Sequence, residues 1–345
     1  MSDHSITICE TTIAPGTQAI IDLPISSLYT QTPMNIPVHV INGKKPGPVL
    51  LVCAAVHGDE INGVEIIRRL LNMRLLKSLE GTLIAVPVVN IFGFIYHSRY
   101  LPDRRDLNAS FPGSKEGSMA ARMSYIFIHE ILEQCTHGID FHTGGAHRTY
   151  LPQVQANLSK KATLRLAKAF GVPVLLDVKE QDNSLRALAA KNKIPFLIYE
   201  AGEALRLDEL AIRAGLKGTL NVMRELKMLK KTTQSTPRSQ PFIAHSSTWL
   251  RAEHSGLFLS PIALGHRVLK KQLLAHIADP ISGKSTEVLS PAKGIIIGRN
   301  HLPLVNEGDA LFQIAKFEKS KKVLAQVKEF HCAHLDQDDS LSAGF

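Results

Sequence analysis

A histidine and a glutamate stand three positions apart in the segment HGDE, as His57 and Glu60, directly after the apolar run PVLLVCAAV (48–56). An imidazole nitrogen and a carboxylate oxygen are both suitable ligands for zinc. Open α/β sheets bind their ligands beyond the carboxyl ends of strands, and a turn opening into a helix can aim both side chains at one ion. Taken alone, this spacing favours an exposed turn whose carboxylate caps a helix, so the metal interpretation needs another ligand.

That further ligand is His142, which ends a short apolar strand in GIDFHTGG (138–145) and precedes two glycines. Two histidines and one glutamate with an open fourth position are typical of a catalytic zinc ion, not of a closed structural one. Asp140 lies two residues earlier, so on a strand it shares a face with His142 and could orient a ligand. A polar residue at a strand end is the alternative for Asp140.

A third acidic side chain, Glu200, ends the strand-like segment FLIYEAGE (196–203). A carboxylate beside a zinc-activated water can take the proton of that water and pass it to a leaving amine. Glu203 is the competing candidate, but we expect it to cap or position the helix that begins near residue 208. We therefore predict that Glu200 acts as general base and acid.

The segment SRYLPDRRDLNASFPG (98–113) is rich in arginine, with proline and glycine to fix a loop. Arg99, Arg104 and Arg105 carry guanidinium groups suited to a carboxylate or a developing oxyanion. Asn108 can donate through its amide. Taken alone, the segment also fits a solvated basic loop.

The elements that must position these residues alternate between apolar strands and amphipathic helices. Continuous apolar runs at 48–56 and 82–90 are typical of strands buried on both faces, and residues 61–80 between them have helical periodicity. The same order recurs downstream, with helices predicted at 118–135, 159–171 and 208–231 and strands at 138–142, 172–178 and 195–202. Gly171 is a candidate C′ residue. This pattern predicts a mixed α/β sheet with helices on both faces.

Beyond a polar stretch at 232–241 the chain turns to short strands with a weak internal repeat. Residues 268–278 align with 305–315 at a shift of 37, which suggests a small barrel-like β-domain. We expect this domain to act as a cap or an assembly surface. The predicted divisions are an α/β hydrolase domain at 1–235, of which 1–45 form an uncertain β segment, a β-domain at 242–320 and a polar tail at 321–345. In the tail, His331, Cys332 and His334 are expected to bind metal only adventitiously.

The composition limits the classes of protein to which this chain can belong. The chain is 44% hydrophobic and 21% charged, and no apolar run is long enough to span a bilayer. The start lacks a secretory signal, and the four cysteines are scattered, which favours reduced thiols in a cytoplasm. The net charge of +9 is spread along the chain without a nucleic-acid-binding motif. We expect a cytoplasmic protein with no nucleic-acid or membrane partner. The sequence leaves open whether the protein forms homo-oligomers.

Together, HGDE (57–60), SRYLPDRRDLNASFPG (98–113), DFHTGG (140–145) and YEAGEALRLDE (199–209) resemble the succinylglutamate desuccinylase and aspartoacylase family, relatives of the zinc carboxypeptidases. The resemblance spans roughly residues 45–320. It implies a carboxypeptidase-like α/β domain followed by a small β-domain.

The resemblance also implies roles for the residues. One zinc ion per chain would be held by His57, Glu60 and His142, and the catalytic glutamate would be Glu200. The arginine that polarises the scissile carbonyl would be Arg99.

The substrate-binding asparagine of the family corresponds to Asn108, but the arginine that usually follows it is replaced by Ala109. That arginine grips the substrate carboxylate. Either another cation such as Arg105 or Arg148 takes over this role, or the substrate lacks the carboxylate.

The sequence therefore predicts a zinc-dependent hydrolase that cleaves the amide bond of an N-acyl amino acid or a similar small amide. A zinc carboxypeptidase or amidase acting on a small peptide-like substrate is the alternative within the enzyme class. A non-catalytic binding protein on the same fold is the alternative outside it.

Overall fold

The computed structural model describes residues 4–231, 241–317 and 320–335. The α-helices are α1 (Asn62–Leu71), α2 (Ile91–Ile95), α3 (Met119–Glu130), α4 (Lys161–Phe170), α5 (Leu185–Lys191), α6 (Glu209–Glu225) and α7 (Ser320–Leu335). Short 3-10 helices cover Arg74–Ser78, Leu107–Ala109 and Leu132–Gln134. None of the helices in the described part of the chain combines the length and hydrophobicity needed to cross a membrane.

The strands before α6 are β1 (Ile6–Ile8), β2 (Thr11–Ile13), β3 (Gln18–Ser27), β4 (Pro33–Asn42), β5 (Val49–Ala54), β6 (Thr82–Val86), β7 (His137–Gly144), β8 (Arg148–Ala156), β9 (Val174–Asp177) and β10 (Phe196–Glu203). The later strands are β11 (Phe242–Ala244), β12 (Ser247–Arg251), β13 (Gly256–Leu259), β14 (Arg267–Val268), β15 (Leu273–Ala278), β16 (Ser285–Leu289), β17 (Gly294–Asn300), β18 (Leu304–Val305) and β19 (Ala310–Ala315).

One large mixed sheet organises the molecule, with the strand order β12-β19-β17-β8-β10-β7-β5-β6-β4-β3. Strands β10, β7, β5 and β6 are parallel neighbours, whereas β4 and β8 flank them in the antiparallel sense. Because helical crossovers return the chain to the same end of the sheet, the carboxyl ends of β5, β7 and β10 meet at one edge. Side chains that follow these strands are therefore brought together.

Helices cover both faces of this sheet, and β5 shows why. Leu50 and Val52 pack into a core built with residues of α1, α4 and α6, whereas Leu51 and Cys53 pack into a second core with residues of α3 and α5. A strand buried on both faces needs apolar side chains at every position, since successive residues point to opposite sides. The predicted mixed α/β fold with a sheet-rich carboxyl-terminal part is confirmed.

Individual elements differ from the sequence predictions in places. The helix predicted over 61–80 ends at Leu71 and is followed by a separate 3-10 helix. Gly171 does end α4, with a left-handed φ of +93°. Neither β8 nor α5 was predicted, because RTYLPQVQA has no continuous apolar run and α5 has only seven residues.

The strands after residue 241 join the large sheet and also form a second, four-stranded sheet with the order β16-β15-β13-β18. Strands β14 and β15 recur 37 residues later as β18 and β19, but β15 lies in the small sheet and β19 in the large one. Pairing of β17 with β8 makes one sheet continuous from the α/β part into this region. The division into domains stays a prediction.

Residues 232–240 of the predicted linker and 336–345 of the predicted tail lie outside the described residues. The described start of the tail is helical: Val323 and Val327 of α7 are buried against β-strand residues. His334 hydrogen-bonds through Nδ1 to the carbonyl oxygen of Phe330 at 2.8 Å. No metal-binding group forms among the described residues of this helix.

Candidate metal centre and active site

The predicted site residues follow three neighbouring parallel strands. His57 and Glu60 lie in the loop between β5 and α1, His142 lies near the end of β7, and Glu200 lies on β10. Glu200 is the register partner of His142 across the β10–β7 pair. The sheet edge thus gathers side chains that are far apart in the sequence.

Glu60 stands between the two imidazoles. Its Oε1 lies 2.8 Å from Nδ1 of His57, and its Oε2 lies 2.9 Å from Nδ1 of His142. The three residues are buried, and their ligand-capable atoms all lie within 4.8 Å of one another. Within the described residues this is the only such group of histidine, cysteine, aspartate or glutamate side chains. The donor set of two nitrogens and a carboxylate suits zinc.

The other ring nitrogen of each histidine faces a carboxylate. Nε2 of His142 lies 2.8 Å from Oδ2 of Asp140, and Nε2 of His57 lies 3.3 Å from Oδ1 of Asp106. The hydrogen bond to Asp140 fixes the ring of His142 and leaves its Nδ1 lone pair for a metal, whereas Asp106 faces Nε2 of His57 at ion-pair distance without hydrogen-bond geometry. Asp140 was anticipated from its spacing, whereas Asp106 was missed, although it stands two residues before Asn108 in the arginine-rich segment.

The charges of the cluster are strongly coupled. Burial alone would lower the pKa of both histidines, but Glu60 and Asp106 raise the pKa of His57, and Asp140 and Glu60 raise that of His142. Conversely, burial alone would raise the pKa of Glu60, but the two imidazoles hold it well below its ordinary value. Because metal ligands must be deprotonated, a bound divalent cation would replace the imidazole protons as the counter-charge of Glu60.

Arg99 links the cluster to Asp106. Its Nε and Nη2 donate to Oδ2 of Asp106 at 3.1 and 2.9 Å. Its Nη1 lies 3.2 Å from Nδ1 of His57 and 3.4 Å from Oε1 of Glu60. The guanidinium therefore stands beside the atoms that could hold a metal, where it could stabilise negative charge that develops on a substrate.

Replacing Asp106 by asparagine is expected to weaken zinc binding by about 10–100-fold, the usual effect of losing a carboxylate that holds a metal-bound histidine. The substitution also removes the ion pair between Asp106 and Arg99, because the amide is neutral. Zinc affinity, measured by competition with a chromophoric chelator, tests this. Asp103→Asn is the matched control, because Asp103 lies in the same loop and pairs only with Arg105 in the described contacts. Equal affinity in the two variants would contradict a role for Asp106.

Glu200 has the environment of a proton-transferring group. Its Oε2 is buried and makes no hydrogen bond with any described residue. Burial, with a smaller contribution from Glu60, raises the pKa of Glu200 to about 8, against the opposing effects of His142, His57 and Arg99. A carboxyl group that titrates near neutrality can both accept and donate a proton. Glu203 differs, because its Oε2 accepts a hydrogen bond from Thr149 at 3.2 Å.

The predicted substrate-binding residues are more exposed than His57, Glu60 and His142. The side chain of Arg105 is 62% exposed and pairs with Asp103 at 3.5 Å, and Arg148 is exposed at the start of β8. Asn108 is half-buried, and its Oδ1 accepts a hydrogen bond from the backbone of Leu185 at 3.4 Å.

Arg186, in the first turn of α5, is an arginine that the sequence reasoning missed. It is only 8% exposed, and its Nη2 donates to the carbonyl oxygen of Lys179 at 2.8 Å. Its Nε and Nη1 are buried without a hydrogen-bond partner among the described residues. Burial lowers the pKa of Arg186, while Glu180 and Glu200 oppose that effect. Nothing in the sequence of a seven-residue helix shows that its arginine points inward.

Comparisons with known proteins show what this chain is similar to. An N-alpha-acetyl-L-2,4-diaminobutyric acid deacetylase from Halomonas elongata is 26% identical over 298 residues, covering 83% of this chain and 86% of the relative. The product-bound structure of the ectoine utilization protein EutE (DoeB) from Ruegeria pomeroyi has a TM-score of 0.79 at 26% identity, covering 87% of this chain and 95% of that one.

A succinylglutamate desuccinylase/aspartoacylase structure from Rhodobacter sphaeroides, at 24% identity, shares the fold with a TM-score of 0.78 and covers 87% of this chain and 94% of that one. The profile of the succinylglutamate desuccinylase/aspartoacylase catalytic domain matches residues 46–226, more than half of the chain and all four site segments. The chain therefore belongs to the succinylglutamate desuccinylase/aspartoacylase family.

Proposed function

We propose that this protein is a zinc-dependent hydrolase that cleaves the amide bond of an N-acyl amino acid. The observation that carries the proposal is the buried group of His57, Glu60 and His142, with the partly buried Glu200 one strand away. The deacetylase from Halomonas elongata, similar over most of its length, supports an N-acyl substrate.

The residues present fit one zinc ion per chain. It would be held by His57, Glu60 and His142, and when bound it would supply a water of lowered pKa and polarise a carbonyl oxygen. Asp140 holds the ring of His142 through a hydrogen bond, Asp106 lies against Nε2 of His57 at 3.3 Å, and both Nδ1 atoms face Glu60.

The protein's own groups then move the proton and stabilise charge. Glu200 takes the proton of the attacking water and delivers it to the leaving nitrogen, which its environment allows near neutral pH. Arg99 donates from Nη1 to the oxygen of the scissile carbonyl as negative charge develops there. Asp106 holds that guanidinium in place through two hydrogen bonds.

We propose that Arg186 binds the substrate carboxylate, in place of the family's arginine that is replaced here by Ala109. This guanidinium is buried and interacts electrostatically with Glu200, and two of its nitrogens have no partner among the described residues. The residue before it, Leu185, hydrogen-bonds to Asn108, the neighbour of Ala109. Arg105 and Arg148 are exposed, so neither offers a desolvated cation at this place.

Replacing Arg186 by methionine is expected to raise KM for an N-acetyl amino acid by about 10–100-fold, because a charge-assisted hydrogen bond to the substrate carboxylate is lost. The matching carboxamide substrate should lose little, since it has no carboxylate to bind. Steady-state kinetics of both substrates, with Arg105→Met and Arg148→Met as controls, measure this. A larger effect in either control would show that an exposed arginine, not Arg186, binds the substrate carboxylate.

The proposed function is tested with purified protein supplied with zinc and assayed against N-acetyl amino acids, N-succinyl amino acids and short unblocked peptides. Hydrolysis of the N-acyl amino acids in preference to peptides, lost on chelation and restored by zinc, is the expected result. Preferential release of carboxyl-terminal residues from peptides would establish a carboxypeptidase instead. Failure to bind zinc would point to a non-catalytic protein.

A further inference from the structure

Gln153 is a buried polar residue that has no part in the mechanism proposed above. It lies on β8 and is 0% exposed, and neither Oε1 nor Nε2 makes a hydrogen bond with any described residue. Burying an unpaired amide costs free energy, so native proteins seldom leave both ends of one unsatisfied. We therefore expect the amide of Gln153 to gain a hydrogen-bond partner when the protein carries out its reaction.

The register of the sheet identifies that partner. Gln153 pairs with Glu200 across the antiparallel strands β8 and β10, and Glu200 in turn pairs with His142. Directly opposite residues point to the same face, with Cβ atoms about 4.5–5.5 Å apart. Oε2 of Glu200 is also buried and unpaired among the described residues. Two unsatisfied side chains thus stand next to each other in one row with a metal-binding histidine.

We propose that Gln153 is a positioning residue that hydrogen-bonds to the carboxyl group of Glu200 during turnover. This inference rests on the proposed function, in which Glu200 alternates between carboxylate and carboxylic acid. A carboxylate only accepts hydrogen bonds, whereas the protonated acid also donates one. The amide of glutamine can donate through Nε2 to the first and accept through Oε1 from the second. Arginine or lysine could serve only the ionised state.

A residue that acts through Glu200 should affect proton transfer more than substrate binding. Gln153→Met, which keeps the size of the side chain but removes both polar ends, is expected to lower kcat by about 10–100-fold, with KM changed less than threefold. Gln155→Met is the matched control, because Gln155 lies on the same strand but pairs with Ile198.

A double-mutant cycle separates this role from a merely structural one. In the Glu200→Gln background, Gln153→Met should change the residual kcat by less than about threefold, because the proton-transferring carboxyl group that Gln153 positions is already gone. An equal loss in both backgrounds, or an unchanged kcat of the single variant, would overturn the proposal.

A crystal structure of the zinc-loaded protein gives a readout that does not depend on activity. The expected result is an amide atom of Gln153 within about 3.2 Å of a carboxylate oxygen of Glu200. If no N-acyl substrate is hydrolysed, the proposed function fails, and this distance alone then decides the pairing. A Gln153 amide bonded elsewhere would refute it even in an active enzyme.

Discussion

Glu200→Gln is expected to retain zinc and lose about 10²–10⁴-fold in kcat, the usual contribution of a positioned general acid and base. The amide of glutamine has nearly the same shape as the carboxyl group but cannot take a proton from water. The buried Oε2 of Glu200 has no hydrogen-bond partner among the described residues, so the substitution breaks no observed contact at that atom. Folding and metal binding should therefore survive.

The measurement combines steady-state kinetics with zinc content by atomic absorption. Glu203→Gln is the matched control: it lies three residues on in the same strand and accepts a hydrogen bond from Thr149. Only a small loss of kcat is expected there. If the two variants exchanged behaviour, the general base would be Glu203, and wild-type turnover by Glu200→Gln would exclude proton transfer by that residue.

The candidate metal-binding group could be predicted from the sequence because its members follow apolar strands. A continuous apolar run marks β5 and a short apolar segment marks β7, and parallel strands bring their carboxyl ends to one edge. This prediction needs no knowledge of side-chain packing. The ligands His57, Glu60 and His142 needed only to be residues of the right chemistry at those ends. The same logic located Glu200 on β10.

The supporting residues could not be predicted in this way, since their roles depend on contacts between distant elements. Asp106 reaches His57 from the N-cap of a 3-10 helix, and Arg186 is buried on a short helix. Gln153 lies on β8, a buried strand whose proline and glutamine residues interrupt the apolar pattern that usually identifies such a strand. The pairing of β17 with β8, which joins the carboxyl-terminal strands to the main sheet, likewise leaves no local pattern in the sequence.

The environment of Glu60 also indicates how protons and a metal ion would compete at this site. Without a cation, Glu60 and Asp106 raise the pKa of His57, and Asp140 and Glu60 raise that of His142, so the carboxylates favour protonation of both imidazoles. Protonated imidazoles cannot act as ligands, so zinc and protons compete for the same Nδ1 atoms. Zinc affinity should therefore rise with pH over the range in which His57 and His142 lose their protons.

His142→Ala is expected to lower zinc affinity by at least about 100-fold, since losing a carboxylate behind a ligand already costs 10–100-fold and here the ligand itself is lost. Activity at limiting zinc should disappear with it. Asp140 and Glu60 also lose their hydrogen-bonded partner, which leaves buried carboxylates less compensated. We therefore expect a lower melting temperature, by a destabilisation of about 3–5 kcal/mol.

The two effects can be separated by melting each protein with and without zinc. Zinc should raise the melting temperature of the wild type, because a ligand that binds only the folded state stabilises it, but should leave that of His142→Ala almost unchanged. His147→Ala is the matched control, as an exposed histidine five residues further along. It should keep both the zinc affinity and the zinc-dependent stabilisation. A His142→Ala protein that bound zinc as tightly as His147→Ala would show that the ion is held elsewhere, and the hydrolytic proposal would lose its foundation.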